Sequence, residues 1–181
     1  MRVLQTALPG VVIIEPVVFQ DERGFFLETY HHAKYAAAGL EASFVQDNHS
    51  RSRKDTLRGL HFQRSKPQGK LVRAVEGEIF DVAADVDPTS PHYGQWVGVL
   101  LSADSFRQIY VPPGYAHGFC VVSETAQVEY KCTTFYDPAD EGGVMWNDPR
   151  LSIDWPTTTP VLSGRDQQHP PLPQNRRSWS P

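Results

Sequence analysis

The sequence predicts a mainly β protein, an antiparallel jelly roll or barrel with few short helices. In residues 79–86 the side chains alternate between two faces, with Phe80, Val82 and Ala84 on one of them, which is the period of a strand with one buried face. Similar segments recur between Gly, Pro, Asn and Asp residues, at spacings typical of sandwiches and barrels. No region alternates strand with helix, so a parallel α/β sheet is not expected.

Candidate strands follow one another along most of the chain. In order, they cover residues 10–19, 24–29, 43–49, 57–63, 70–86, 95–101, 108–111, 118–122 and 126–136. The longest segment is expected to break into a hairpin at Glu76-Gly77-Glu78, because glycine suits a turn. We find no internal repeat.

Helix is expected over residues 31–40, where an Ala run is followed by Gly39, a residue suited to the position after a helix end. A single turn is expected near residues 102–106.

Residues 166–177 are rich in Pro and polar side chains, so they are interpreted as a surface tail that cannot continue a ladder. A chain of 181 residues suits one domain. We assign residues 1–173 to that domain and residues 174–181 to a surface tail.

Charge and composition exclude several classes of function. The net charge is −4, and no Lys and Arg run is interleaved with aromatics, so nucleic acid is not an expected partner. The N-terminus lacks a basic-then-apolar leader, and no apolar stretch approaches the roughly 20 residues that span a bilayer. We therefore expect a cytoplasmic protein without a membrane partner. Cys120 and Cys132 are expected to be reduced core residues, since two cysteines make neither a disulfide framework nor a four-ligand zinc site.

Residues 57–63 carry the strongest sign of chemistry, with Arg58 and His61 three positions apart and Lys70 soon after. A histidine can move protons near neutral pH, while Arg and Lys can hold anionic oxygens. Strict alternation would place Arg58 and His61 on opposite faces, so a shared site requires a bulge at Gly59 or an arginine that wraps around. The alternative for His61 is a buried, hydrogen-bonded strand residue. The segment suggests proton transfer on an anionic substrate.

Two further side chains are expected to point into the fold. Lys70 shares its strand face with apolar Val72, where a lone ammonium is costly unless it meets a partner or a ligand. The alternative is a solvated lysine at the start of a strand. Tyr130 lies between Val128 and Cys132 on one face, so its phenol should point inward, where it needs a partner. It is either a proton donor or a core tyrosine bonded to a backbone carbonyl.

Two weaker signals suit a nucleotide. Arg23 could grip a phosphate, or it could be a turn arginine paired with Asp21 or Glu22. The amides of Gln46 and Asn48 could read a nucleobase edge, or simply satisfy a strand-to-loop transition.

His61 and His117 raise the question of a metal, because histidines on neighbouring strands of a β-barrel often hold one. Residues 112–117 (PPGYAH) resemble the second motif of the small barrels called cupins. The first cupin motif has two His one residue apart plus a Glu, whereas Gln63 stands at the second His position here. One imidazole from each motif would give only two histidine ligands, so no metal is expected.

Seven motifs, in this order, resemble the dTDP-4-dehydrorhamnose 3,5-epimerase family over residues 6–171. They are 21–26 (DERGFF), 46–48 (QDN), 57–63 (LRGLHFQ), 69–72 (GKLV), 112–119 (PPGYAHGF), 129–133 (EYKCT) and 140–143 (DEGG). The resemblance implies a cupin jelly roll that works without metal or other cofactor on dTDP-4-dehydro-6-deoxy-D-glucose. The protons at C5 and C3, both adjacent to the C4 ketone, would be removed and returned on the opposite face.

The resemblance also implies a role for particular residues. His61 matches the family's general base, and Asp166 is similar to the aspartate that orients it. Tyr130 matches the opposite-face proton donor, and Lys70 falls where the family's lysine holds the C4 oxygen. Some substrate contacts come from a partner subunit in the family, which implies a homodimer. The implied contacts are Arg23, Phe26, Glu28, Gln46, Asn48, Arg58, Lys70, His117 and Glu141.

Several alternatives remain open at this point. Relatives with most of these motifs epimerise only C3 or only C5, or act on differently modified sugars. A metal-dependent cupin oxygenase or isomerase predicts a stoichiometric metal that is lost with His61 or His117. A catalytically silent binder predicts affinity for dTDP without solvent exchange into the sugar. The chain departs from the family at Arg165, where Lys is frequent, and after Pro171, where no counterpart is evident.

Overall fold

The structure, a computed structural model, describes residues 1–173. It confirms a mainly β fold in which the paired strands run antiparallel. A 3₁₀ turn at Asp166–Gln168 follows the last strand. The other elements are β1 (Arg2–Gln5), β2 (Val12–Glu15), β3 (Val18–Asp21), β4 (Gly24–Leu27), α1 (His32–Ala37), β5 (Gln46–Arg53), β6 (Leu57–Gln63), β7 (Lys70–Glu76), β8 (Glu78–Asp85), β9 (Trp96–Ser102), β10 (Gln108–Val111), β11 (Tyr115–Val121), β12 (Thr125–Cys132) and β13 (Glu141–Gly143).

Two sheets enclose the core. The first has the strand order β1-β2-β10-β7-β12-β5 and the second has the order β13-β6-β11-β8-β9, while β3 and β4 form a separate hairpin. The core draws on both sheets, because Val72 and Ile109 of the first pack in one buried cluster with Ile79, Ala83 and Phe119 of the second. The sheets remain open, so the fold is a jelly-roll sandwich and not a closed barrel.

Most of the expected strands are present, with shifted ends. Residues 10–19 split into β2 and β3 around Pro16, because proline cannot donate to a ladder. The break at Gly77 is confirmed, since β7 ends before it and β8 begins after it. The expected hairpin is wrong, because the chain changes sheets at this turn: β7 pairs with β10 and β12, while β8 pairs with β9 and β11. The helix is shorter than expected, and the single turn predicted near residues 102–106 is present at residues 103–105. The pattern did not reveal β1 or β13.

The expectation of a surface tail is wrong for residues 166–173. Asp166 and Leu172 are buried, with 4% and 2% of their surface exposed. The Leu172 amide donates to Asp148 at 2.7 Å, and the Met145 amide donates to the Pro170 carbonyl. The stretch lacks a ladder, as predicted, yet it packs through one apolar side chain and side chain–backbone bonds. Residues 174–181 lie outside the described residues, so the division between domain and tail stays a prediction.

Two smaller expectations can be compared with the structure. Cys120 and Cys132 are buried and free, as predicted. Within residues 1–173 no helix has the length and apolar character needed to cross a membrane.

Candidate active site

A cavity of about 750 Å³ lies between residues of both sheets. Its wall includes strands β5, β7 and β12 of the first sheet and strands β6, β11 and β13 of the second. Nine of the residues singled out from the sequence line it: Gln46, Asn48, Arg58, His61, Lys70, His117, Tyr130, Glu141 and Asp166. The two sheets therefore bring together residues that are up to 120 positions apart in the chain, from Gln46 to Asp166.

A bulge in β6 places Arg58 and His61 in the same cavity. His61 pairs with His117 and Arg58 pairs with Phe119, so three steps along β6 face two steps along β11. The extra residue changes the alternation of the strand. Gly59 has a φ of 122°, and a β-carbon there would lie 2.6 Å from the Gly118 backbone. Only glycine fits, and the expectation of a bulge at Gly59 is confirmed.

His61 is tied to a buried carboxylate. Its Nε2 lies 2.5 Å from Asp166 Oδ1, and the Ser163 hydroxyl donates to Asp166 Oδ2 at 2.8 Å. Burial alone would raise the pKa of Asp166, but the hydrogen bond and charge of His61, with the bond from Ser163, bring this pKa below its ordinary value. An ionised carboxylate only accepts hydrogen bonds. The His61 proton therefore sits on Nε2, and Nδ1 carries the free lone pair of a base.

A second imidazole, that of His169, stands beside this pair. Its ring packs edge-on against that of His61, with centroids 5.4 Å apart, and its Nε2 lies 3.6 Å from Asp166 Oδ1. Burial and the nearby His61 charge lower the pKa of His169. No strand or helix pattern marks this residue, whose only signal in the sequence is its position three residues after Asp166.

Lys70 projects into the cavity from the start of β7. Within residues 1–173 its ammonium makes no hydrogen bond or ion pair. Burial lowers the pKa of Lys70, while the nearby Cys132, Asp81 and Glu141 act in the opposite direction. The ammonium is available to an anionic oxygen in the cavity.

Tyr130 faces the cavity from β12, on the sheet opposite His61. It is half-buried, and burial raises the pKa of its phenol, so the phenol holds its proton at neutral pH. Its hydroxyl has no hydrogen-bond partner among the described residues. The alternative of a core tyrosine bonded to a backbone carbonyl therefore does not hold in residues 1–173.

Polar side chains line the rest of the wall. Arg58 donates twice to the Ser52 hydroxyl, at 3.1 and 3.0 Å. The Gln46 amide donates to Asn48 at 3.0 Å. Glu141 accepts a hydrogen bond from the Tyr136 hydroxyl at 3.0 Å and pairs with Arg165.

The residues at the cupin metal position do not form a ligand set. His117 is buried, and its Nε2 lies 3.0 Å from both carboxylate oxygens of Asp81. The Gln63 amide donates to the Lys66 carbonyl at 2.8 Å and accepts from the Asp137 amide at 2.8 Å. Both side chains are held by partners of their own.

Three of the implied substrate contacts lie on or next to the β3–β4 hairpin and outside the cavity. Arg23 pairs with Asp21, as its alternative reading had it. Phe26 is 66% exposed, and Glu28 pairs with Lys34. A single chain does not bring these residues to the site.

The fold and the cavity define a class of protein, a cupin-like jelly roll whose pocket holds a histidine–aspartate pair on one side and a tyrosine and a lysine on the other. The sequence model of the dTDP-4-dehydrorhamnose 3,5-epimerase family matches residues 5–174. The chain belongs to this family.

Individual relatives carry the family's name or a closely related one. The dTDP-4-dehydrorhamnose 3,5-epimerase of Salmonella typhimurium is 52% identical over 96% of this chain and 97% of its own length. The crystal structure of dTDP-6-deoxy-D-glucose-3,5-epimerase from Legionella pneumophila, in complex with dTDP-4-keto-L-rhamnose, is 46% identical with a TM-score of 0.92, over 94% of this chain and 92% of that one. A dTDP-4-dehydrorhamnose 3-epimerase of Streptomyces niveus is 44% identical over 92% of this chain and 82% of its own.

Proposed function

We propose that this protein inverts C3 and C5 of dTDP-4-dehydro-6-deoxy-D-glucose, giving dTDP-4-dehydro-L-rhamnose for deoxysugar biosynthesis. The observation that carries the proposal is the arrangement of the cavity, in which His61 of the second sheet is bonded to Asp166 while Tyr130 and Lys70 line the wall formed by the first sheet. The identity to relatives named for this reaction supports the choice of substrate.

His61 takes the proton from the carbon next to the C4 ketone. A carbon acid of this kind is far weaker than an imidazolium, and each unmatched pKa unit costs about 1.4 kcal/mol. Lys70 offsets this difference by holding the oxygen that becomes an enolate, an effect worth ~3 kcal/mol or more for a preorganised donor. Asp166 stabilises the imidazolium that forms and keeps Nδ1 free for the next proton.

Tyr130 returns a proton to the other face of the sugar. Inversion requires a donor across the ring from the base, and a tyrosine on the opposite sheet meets that requirement. Burial raises the pKa of the Tyr130 phenol, so it remains an acid at neutral pH. His61 then releases its proton to solvent and Tyr130 takes one up from solvent, after which the same two transfers at the second carbon give the double epimer.

The nucleotide diphosphate is bound by local positive charge, since the chain as a whole is acidic. Arg58 offers a guanidinium fork that suits a phosphate. Around it, Gln46, Asn48, His117 and Glu141 supply polar contacts to the base, ribose or sugar.

We also propose that the active form is a homodimer, in which the hairpin of one subunit completes the cavity of the other. The hairpin exposes aromatic side chains, of which Phe19 and Phe26 are direct cross-strand neighbours, and exposed apolar patches mark interaction sites. Phe19, Phe25 and Phe26 are 63%, 60% and 66% exposed. In this arrangement Arg23, Phe26 and Glu28 reach the nucleotide of the partner subunit. We place the enzyme in the cytoplasm, because a charged nucleotide sugar does not cross a bilayer unaided.

A single-position epimerase is the second candidate, because a relative named as a 3-epimerase is 44% identical. Proton NMR of dTDP-4-dehydro-6-deoxy-D-glucose with the purified protein in deuterated buffer distinguishes the two. Loss of both the C3 and the C5 signals is expected, and a reductase with NADPH should then yield dTDP-rhamnose. Loss of one signal would establish the single-position enzyme, and loss of neither would refute both.

A further inference from the structure

Three potential ligand atoms meet at the edge of the cavity. In the part of the chain that the structure describes, His61, Asp166 and His169 are the one group of His, Cys, Asp and Glu side chains close enough to share a metal ion, with their ligand atoms within 4.8 Å of one another. The proposed catalysis uses the first two of these residues and leaves the third without a role.

His169 is a buried imidazole with an unsatisfied nitrogen. Its side chain is 10% exposed, and its Nε2 is buried with no hydrogen-bond partner among residues 1–173. That nitrogen lies 3.6 Å from Asp166 Oδ1, so it faces the same oxygen as His61 Nε2. Buried polar atoms in native proteins nearly always have a partner, and this nitrogen points to one that the polypeptide does not supply.

The surrounding chain holds this imidazole in place. A β-carbon on Gly143 would lie 2.4 Å from the His169 ring, so the glycine in β13 leaves the space that the ring fills. The next residue, Pro170, accepts a bond from the Met145 amide, and Leu172 is buried and bonded to Asp148. The position of His169 is thus fixed by the space that Gly143 leaves and by the hydrogen-bonded residues that follow it.

We propose that His61, Asp166 and His169 form a binding site for a divalent transition metal of the Zn²⁺ type, and that the bound ion inhibits the enzyme. Two imidazoles and one carboxylate are a ligand set that such ions favour. Ligand bonds of about 2.0–2.2 Å in a tetrahedron place the ligand atoms about 3.4 Å apart. The present separations of 2.5 and 3.6 Å to Asp166 Oδ1 require shifts of ordinary side-chain size.

Inhibition follows from the tautomer of His61 and rests on the proposed function. In the free protein the proton sits on Nε2 and Nδ1 is the base. An ion bound at Nε2 takes the lone pair of that nitrogen, and the ring proton moves through solvent to Nδ1. No proton is gained or lost, but the base no longer has a free lone pair. Asp166 is also withdrawn from His61 and becomes a ligand of the ion.

Binding and inhibition are tested with the full-length, chelator-treated protein. Co²⁺ is titrated in the absence of substrate and followed by its visible d–d absorption, and Zn²⁺ is titrated into the deuterium-exchange assay. The wild type is expected to bind one Co²⁺ per chain with a tetrahedral-type spectrum and to lose activity with Zn²⁺, reversibly on addition of EDTA. His169→Gln should weaken both effects by more than the roughly 10- to 100-fold that a lost outer-shell partner costs, and keep the metal-free activity.

The matched control is His31→Gln, which removes an exposed histidine and should leave the Co²⁺ titration unchanged. His169→Asn provides a second replacement, in case Gln disturbs the packing on Gly143. Absence of Co²⁺ binding to the wild type, or equal binding and inhibition in both His169 variants, would overturn the proposal. The Co²⁺ spectrum requires no turnover, so failure of the metal site is distinguishable from failure of the proposed epimerase activity.

Discussion

The two walls of the cavity are built in different ways. On the second sheet, His61 is bound to Asp166, and Asp166 is held in turn by Ser163. On the first sheet, the functional atoms of Lys70 and Tyr130 have no hydrogen-bond partner within residues 1–173. His61 is thus held by hydrogen bonds within its own wall, whereas Lys70 and Tyr130 present unbonded polar atoms to the cavity.

The difference matches the roles proposed for the residues of each wall. A base needs the correct tautomer and orientation before the substrate arrives, and a charged hydrogen bond provides both. Groups that donate to an enolate oxygen or to a carbanion should instead have no other hydrogen-bond partner before the reaction. Only interactions strengthened in the transition state accelerate the reaction. Substitutions on each wall test this difference.

The largest effect is expected from removal of the base. His61→Asn should reduce deuterium exchange at C3 and C5 by about 10³-fold or more, as expected for loss of a positioned general base, while the fold and the affinity for dTDP are retained. His49→Asn is the control, because His49 is exposed on β5. Exchange at the wild-type rate in His61→Asn would remove His61 from the mechanism.

The next effect concerns the free cation of the opposite wall. Lys70→Met keeps the length of the side chain and removes its charge, so kcat should fall by about 10²- to 10³-fold, the usual cost of one lost oxyanion donor. The affinity for dTDP should change little. Lys131→Met, which removes a lysine paired with Asp47 on the outer side of β12, is the comparison. A Lys70→Met enzyme with wild-type kcat would mean that the enolate is stabilised elsewhere.

The role of the bulge at Gly59 can be tested by measuring the free energy of unfolding. Gly59→Ala introduces a β-carbon 2.6 Å from the Gly118 backbone at a φ of 122°, so the free energy of unfolding should fall by about 2 kcal/mol or more. Gly24→Ala shares a φ of 124° but meets no atom within 4 Å. Urea unfolding should show the smaller loss for Gly24→Ala, and equal losses would attribute the whole effect to backbone strain.

The smallest effect is a shift in the pH profile. Burial lowers the pKa of Lys70 from its ordinary 10.5, so the ammonium is lost as the pH rises through this lowered value and activity falls on the alkaline side. Lys70→Arg should be slower but should lack this alkaline fall, because a guanidinium stays protonated. An unchanged alkaline limb in Lys70→Arg would assign the fall to another group.

Side-chain alternation was sufficient to predict part of the site. The inward positions of Lys70 and Tyr130 follow from the period of β7 and β12, and the bulge at Gly59 follows from the need to place Arg58 with His61. The resemblance to a family added Asp166, whose surroundings show no strand pattern. Asp166 and His61 are 105 residues apart in the chain. Local sequence patterns do not encode a contact over such a distance.

Other features could not be predicted for physical reasons. The strand β13 consists of Glu141-Gly142-Gly143 and has no apolar alternation, so it forms only because β6 offers it a free edge. The packing of residues 166–173 depends on Leu172 and on a bond from its amide to Asp148, which a segment rich in Pro does not reveal. His169 lay in that segment and was overlooked with it.

If base and acid act separately from opposite walls, Tyr130→Phe should separate proton removal from inversion. Both deuterium washout at C3 and C5 and formation of inverted sugar are followed by NMR in deuterated buffer for this variant and the wild type. Washout is expected to persist while inversion falls by about 10²-fold or more, because His61 still removes protons and returns them to the same face. Equal loss of both, or an unchanged yield of inverted product, would contradict it.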